Sequence, residues 1–333
     1  MNYATRITAL IVAATSLSFG NLQAEELGGA SHVGCPDITV TSLDHEVLFF
    51  KTVLDFKLVG TEDRSKLDQL VPGMAGGTKT RTAHLSLGEE CLDLTEYLFP
   101  KGALFPGDSR GNDQWFEHIA IVVSHMDKAY AKLRKARVRF VSNLPQTLPE
   151  WNKNAAGISA FYFRDPDGHY LELIHFPPGK GQARWQSSST ALFLGIDHTA
   201  IVVSNTAQSV GFYRDKLGFR VVGSSENYGS EQEHLSGVLN AHVLITSLRS
   251  ESGIGIELLD YLAPDSGRPI PSNMHAYDIA AWQIPIELDA VRNPAEVKAL
   301  HLRWVKLPPD PTGLREASWT RDPDGHRLEL LTK

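Results

Sequence analysis

The 333-residue sequence predicts an α+β protein of four βαβββ modules, and three observations carry that reading. The chain repeats itself: Arg164-Asp-Pro-Asp-Gly-His169 returns as Arg321-Asp-Pro-Asp-Gly-His326, 157 positions later. Each copy runs into a Leu-Glu-Leu strand, Leu171-Glu172-Leu173 and Leu328-Glu329-Leu330. Shorter echoes keep the same order around it. Glu96-Tyr97-Leu98-Phe99-Pro100 matches Asp260-Tyr261-Leu262-Ala263-Pro264, and Phe49-Phe50 before Leu54-Asp55-Phe56 matches Phe212-Tyr213 before Leu217-Gly218-Phe219. Within each repeat the hydrophobic period changes from strand-like to helix-like and back. A fixed period of this kind marks a duplicated supersecondary unit.

The elements follow in chain order. Residues 1–24 read as a cleavable secretory signal: Arg6 supplies the positive start, Ile7 to Phe19 is apolar, and Ala24 precedes Glu25-Glu26. The apolar run is shorter than the roughly 20 residues of a membrane span. The mature chain is therefore expected to be exported to a bacterial periplasm or secreted, without a membrane anchor. Modules open on β-branched strands such as His118-Ile-Ala-Ile-Val-Val123 and His198-Thr-Ala-Ile-Val-Val203. Helical spacing follows over residues 127–136 and 207–217. In the second module, strands are expected over 139–141, 158–163 and 169–176. Asp165-Pro166-Asp167-Gly168 has turn chemistry, since proline sets φ, Asp accepts from nearby amides and glycine takes positive φ. Linkers fall at 101–114, 178–190 and 264–273. The expected domains are residues 25–178 and 191–333, two modules each.

Composition excludes several roles. Lys and Arg total 32 against 39 Asp and Glu, a net charge of −7 with no basic run, which disfavours nucleic acid or anionic membrane as partner. There is no HExxH, CxxC, phosphate loop or dinucleotide fingerprint.

Ile196-Asp-His-Thr-Ala-Ile-Val-Val203, Phe212-Tyr-Arg-Asp-Lys-Leu-Gly-Phe219 and the two Arg-Asp-Pro-Asp-Gly-His turns resemble the vicinal oxygen chelate superfamily. That group holds glyoxalase I, methylmalonyl-CoA epimerase, extradiol dioxygenases and bleomycin-resistance proteins. The resemblance implies paired modules whose cupped mixed sheets surround a divalent metal, with ligands on the first and last strand of each module. It picks His198 and Glu257 in module three and His118 and Glu172 in module two. In module one, counting back from Leu54-Asp55-Phe56 selects Cys35, and Leu92-Asp93-Leu94 selects Asp93. In module four the last strand offers Glu329. An offset of 164 between residues 138–141 and 302–305, taken as 164 or 165, places His118 against Trp282-Gln283, and Gln283 is the one of the two that can ligate, with His275 and Asp278 as alternatives.

The resemblance then implies a carboxyl-terminal centre of His198, Glu257, Gln283 and Glu329 for Zn, Ni, Mn, Fe or Co. Cys35, Asp93, His118 and Glu172 would form a second, less regular set. The implied activity is that of a glyoxalase-like lyase or isomerase acting on a small substrate with adjacent oxygens through an enediolate-type intermediate. Glu329 or Glu257 would be the base. An Fe(II) extradiol dioxygenase and a non-catalytic binding protein are the alternatives. A monomer suffices to complete both pairs, and a homodimer is the other arrangement. Cys35 and Cys91 are the only cysteines. Export and the family's strand order point to a disulfide between them, against free thiols or a thiolate ligand.

Overall fold

The computed structural model describes residues 29–289, 302–307, 313 and 316–332. The expected signal segment, residues 1–24, lies outside the described residues. No helix among those described is long and apolar enough to cross a membrane.

Two large mixed sheets carry the fold, with few helices. In module two, the first strand Glu117–Val123 and the last strand Tyr170–His175 are parallel neighbours. Phe193–Val203 and Gly255–Ala263 stand in the same relation in module three. The two first strands meet antiparallel at the sheet centre, with His198 opposite Ala120. The second sheet repeats the plan. Asp37–Val40 pairs with Glu90–Phe99, Trp282–Leu288 pairs with Arg327–Thr332, and Gln283 lies opposite Asp37 at the centre.

This arrangement corrects the expected pairing. Module two completes its cup with module three, and module one with module four. All four first strands offer a backbone edge to a partner. Which copy takes which edge is settled by long-range packing, and the repeat pattern does not encode it.

Alternation along the strands sorts the side chains. Ile119, Ile121 and Val123 point into a core shared by both sheets, together with Ile38, Leu94, Ile256, Ile284 and Leu330. His118 and Ala120 face the other way, into the cup. Helices Leu43–Val53 and Met126–Ala136 pack against the shared core through Phe50 and Leu133. In module three the helix Thr206–Val210 continues as a wider π-type turn over Gly211–Lys216, a little offset from the expected helix.

The repeated turns brace the modules crosswise. Asp165 Oδ1 accepts from the amides of Gly168 and His169 at 2.7 and 2.8 Å, and Asp322 Oδ1 does the same for Gly325 and His326. Gly168 and Gly325 hold φ of 107° and 104°, where a Cβ would be strained. Arg164 and Arg321 close their own turns by donating to the carbonyls of Gly168 and Gly325. The second Asp of each turn reaches outward: Asp167 accepts from Thr41 N and Oγ1 ahead of module one's helix, and Asp324 from Ser204 N and Oγ in module three. The turns thus join modules one to two and three to four, while the sheets join two to three and one to four. Buried His169 presents Nδ1 to Asp165 and Nε2 to the Ile279 carbonyl, each at 2.6 Å. Burial favours the neutral ring, but both acceptors outweigh it and raise its pKa.

Candidate metal centre

Four side chains converge in the cup of modules two and three. His118 and His198 come from the antiparallel first strands, Glu172 and Glu257 from the last strands beside them. Each carboxylate stands two positions beyond the residue paired with its module's histidine, Tyr170 and Gly255. His118 Nε2 lies 2.9 Å from Glu172 Oε2, and His198 Nε2 lies 3.6 Å from the same oxygen and 3.4 Å from Glu257 Oε2. Ligand atoms of His118, Glu172 and His198 all fall within 4.8 Å of one another. His118, Glu172 and His198 are buried, whereas the Glu257 side chain keeps 22% of its surface.

The protonation pattern follows from this crowding. Burial pushes the Glu172 carboxyl up, but hydrogen bonds from His118 and His198 outweigh burial and hold it below the usual range. Burial would likewise lower the His198 pKa, yet Glu257, Asp197 and Glu172 raise it to about 10. A cation is therefore favoured at this point, and two imidazoles with two carboxylates suit a borderline divalent ion. The residues present fit the metal that the resemblance implies.

The histidines are supported differently. His198 Nδ1 meets Asp197 Oδ2 at 3.1 Å, leaving Nε2 for the centre. Asp197 is itself held by Arg249 at 2.6 Å, Trp185 Nε1 at 2.7 Å and Gln182 at 3.1 Å. Among the described residues His118 Nδ1 has no polar partner, and its buried ring packs against Phe116 and Tyr162. A cavity of about 900 Å³ opens over the centre, bordered by Glu172, His198 and Glu257, with Tyr162 on one wall and Arg220 and Arg249 on another. Module one contributes part of the rim, including His32 and Cys91.

The structure separates the four ligands expected in the carboxyl-terminal half. His198 and Glu257 lie in this cup, Gln283 and Glu329 in the other. The four positions that do meet, His118, Glu172, His198 and Glu257, were divided between the two expected centres. Glu329, expected as a base beside His198, has no place at that centre. In its own cup, Gln283 stands to Glu329 as His118 stands to Glu172, and its Nε2 donates to Glu329 Oε2 at 3.1 Å. The alternatives serve a loop instead: Asp278 accepts from the amides of His275 and Ala103.

A protein cation enters this second cup. Arg64 Nη1 lies 3.3 Å from Asp37, and Nη2 lies 3.8 Å from Asp68. Asp93 and Glu329 add to the field that raises the guanidinium pKa against the effect of burial. Asp93 is also engaged by His84 at 2.8 Å. Cys35, the remaining ligand position, is bonded to Cys91, with Cα atoms 4.9 Å apart. Sequence reasoning missed Arg64, Asp37 and Asp197. Asp197 carries one usable signal, an acid directly preceding a candidate ligand.

The family profile described as Glyoxalase/Bleomycin resistance protein/Dioxygenase superfamily matches residues 29–173 and 195–330. The chain belongs to this superfamily. Among solved structures, glyoxalase I from Zea mays is similar over 91% of this chain and 92% of its own, at TM-score 0.56 and 14% identity. A mutant of the Zea mays enzyme gives 0.57 at 17% identity over the same shares. A putative dioxygenase from Bacillus subtilis subsp. subtilis str. 168 covers 93% and 86%, at 0.54 and 15% identity. At these identities the likeness concerns the superfamily fold. No curated protein matches the sequence.

Proposed function

We propose that the protein is an exported, divalent-metal-dependent enzyme of the glyoxalase class, a lyase or isomerase acting on a small molecule with adjacent oxygens. The observation that carries this reading is the convergence of His118, Glu172, His198 and Glu257 below an open cavity. A bound divalent ion would supply Lewis-acid polarisation of two neighbouring substrate oxygens. The chain's own residues do the rest. Glu172, gripped by both histidines, stays ionised and holds the centre together. Glu257 is the base: it borders the cavity, one oxygen accepts from Ser247 Oγ at 2.7 Å, and the other faces the centre. Tyr162 excludes water along one wall. Glu257 therefore lifts the proton from the carbon beside a carbonyl and returns it to the neighbouring carbon, the enediolate route.

A second reading has a specific observation in its favour. His118, His198 and Glu172 form a two-histidine, one-carboxylate triad of the kind used by Fe(II) extradiol dioxygenases. Glu257 counts against it, because a second carboxylate stands beside the triad, 3.4 Å from His198 Nε2. Elemental analysis of the purified protein and its Glu257→Ala variant separates the readings. Zinc, nickel, manganese or cobalt, with turnover lost in Glu257→Ala, supports the isomerase class. Iron with oxygen uptake on catechols, retained in that variant, supports the dioxygenase and refutes the first reading. Export is supported by the residue pattern of 1–24 and agrees with the Cys35–Cys91 bond.

A further inference from the structure

Three arginines border the cavity, and two are already committed. Arg249 is bound to Asp197, and Arg184 to Glu90 with Glu89 at 3.8 Å. Arg220 differs. Among the described residues it forms no ion pair, and its one hydrogen bond runs from Nη2 to the Ser250 carbonyl at 3.3 Å. A guanidinium offers five donors in a rigid fork, and a single carbonyl uses one of them.

The sheet register fixes where this cation stands. Arg220 lies directly opposite Arg249 on the neighbouring strand. Leu248 faces Ile256, so Arg249 is level with Gly255, and Gly255 pairs with His198. Arg220, Arg249, Gly255 and His198 therefore form one row across four adjacent strands, about 14 Å from end to end at ordinary strand spacing. Ser247 and Arg249 share a face, and Ser247 reaches Glu257, so that face is the cup. Arg220, opposite Arg249, projects into the same cup. Between the ends of the row lies the cavity of about 900 Å³, larger than a triose needs.

From this row we infer that the substrate carries a carboxylate at the end remote from its adjacent oxygens, and that Arg220 pairs with it. The inference rests on the metal reading above, which supplies the other end of the substrate. A fork meeting a carboxylate makes two parallel charge-assisted bonds, giving orientation as well as affinity. Arg220 also sets substrate length, since it sits on the edge strand at a constant remove from Glu257. Arg249 cannot take this role without releasing Asp197 and, through it, His198.

A matched pair of probes tests the inference by calorimetric titration of the metal-loaded protein. 2-Oxoadipate and 2-oxohexanoate share a carbon skeleton and a chelating 2-oxo acid end, and differ in ending as carboxylate or methyl. The expected result is that 2-oxoadipate binds at least about tenfold more tightly. Arg220→Gln should abolish that preference and leave 2-oxohexanoate unchanged. Because Arg220 is exposed on an edge strand, the variant is expected to keep the wild-type circular dichroism spectrum and melting temperature. Equal affinity for the two probes overturns the inference, as does a preference that survives in Arg220→Gln, or failure of both probes to bind. Titration after metal removal tests the underlying reading separately. If 2-oxohexanoate binds as well without metal, the metal reading fails. An Arg220-dependent preference for 2-oxoadipate in the stripped protein would still support the anion subsite.

Discussion

Replacing Asp197 by Asn probes how the centre is held without touching a ligand. Asp197 has two oxygens and four neighbours that donate to them: Trp185 and Gln182 on Oδ1, Arg249 and His198 on Oδ2. Asn keeps the shape but supplies one acceptor, so its amide nitrogen must face donors on one side. Arg249 loses its ionic partner in either orientation. His198 then loses the charge that fixes its Nδ1 proton and keeps Nε2 free for a cation. Partners of this kind are worth about 10- to 100-fold in metal affinity, with each tenfold equal to about 1.4 kcal/mol. The expected loss is therefore about 1.4 to 3 kcal/mol, read by competition against a chromophoric chelator. Gln182→Ala, which removes one neutral donor, serves as the comparison and should cost much less. If Asp197→Asn stays within about threefold of wild type, far short of the usual support effect, the orienting role is refuted.

Three further outcomes are expected. Glu172→Ala should empty the metal site in elemental analysis while Glu329→Ala leaves it loaded; the reverse would move the centre to the cup of modules one and four. The disulfide closes a separation of 56 residues, for which chain entropy gives about 4 kcal/mol, so Cys35→Ser with Cys91→Ser should lower the urea unfolding free energy by roughly 2 to 4 kcal/mol; an unchanged midpoint would count against it. His326 is buried, and although burial disfavours its charge, Asp322 raises its pKa to about 9. Folding then gains from proton binding below the unfolded histidine value near 6.5, and that gain, on the order of a few kcal/mol, is lost as pH rises to about 9. His326→Gln should flatten the unfolding free energy across that window, and an unchanged slope would refute the assignment.

Much of this molecule was legible in its repeats. The modules and their turn chemistry follow from register, and so does the place of Gln283 beside Glu329 across a shortened loop. Gln283 lies opposite Asp37 as His198 lies opposite Ala120, so the same offset logic holds in three dimensions. Partner choice between modules was not legible, because four similar edges carry no address. That single gap divided His118 and Glu172 from His198 and Glu257. Arg64 was invisible for a different reason: it arrives from the cap of the short helix Ser65–Asp68, outside any periodic pattern, and matters only through the acids it meets in space.

The nested pairing of the modules also sets a timetable. Module one is made first, yet its central edge, Asp37–Val40, waits for Trp282–Leu288, and that strand in turn needs Arg327–Thr332 beside it. At ordinary rates of synthesis the delay is about 15 to 60 seconds. Meanwhile the inner pair, modules two and three, can close as soon as both have emerged. The chain therefore assembles like a pair of brackets, inner before outer, and neither half cut at the 178–190 linker holds a complete cup. Such a chain exposes an unpaired strand edge for a long interval and depends on being shielded during it.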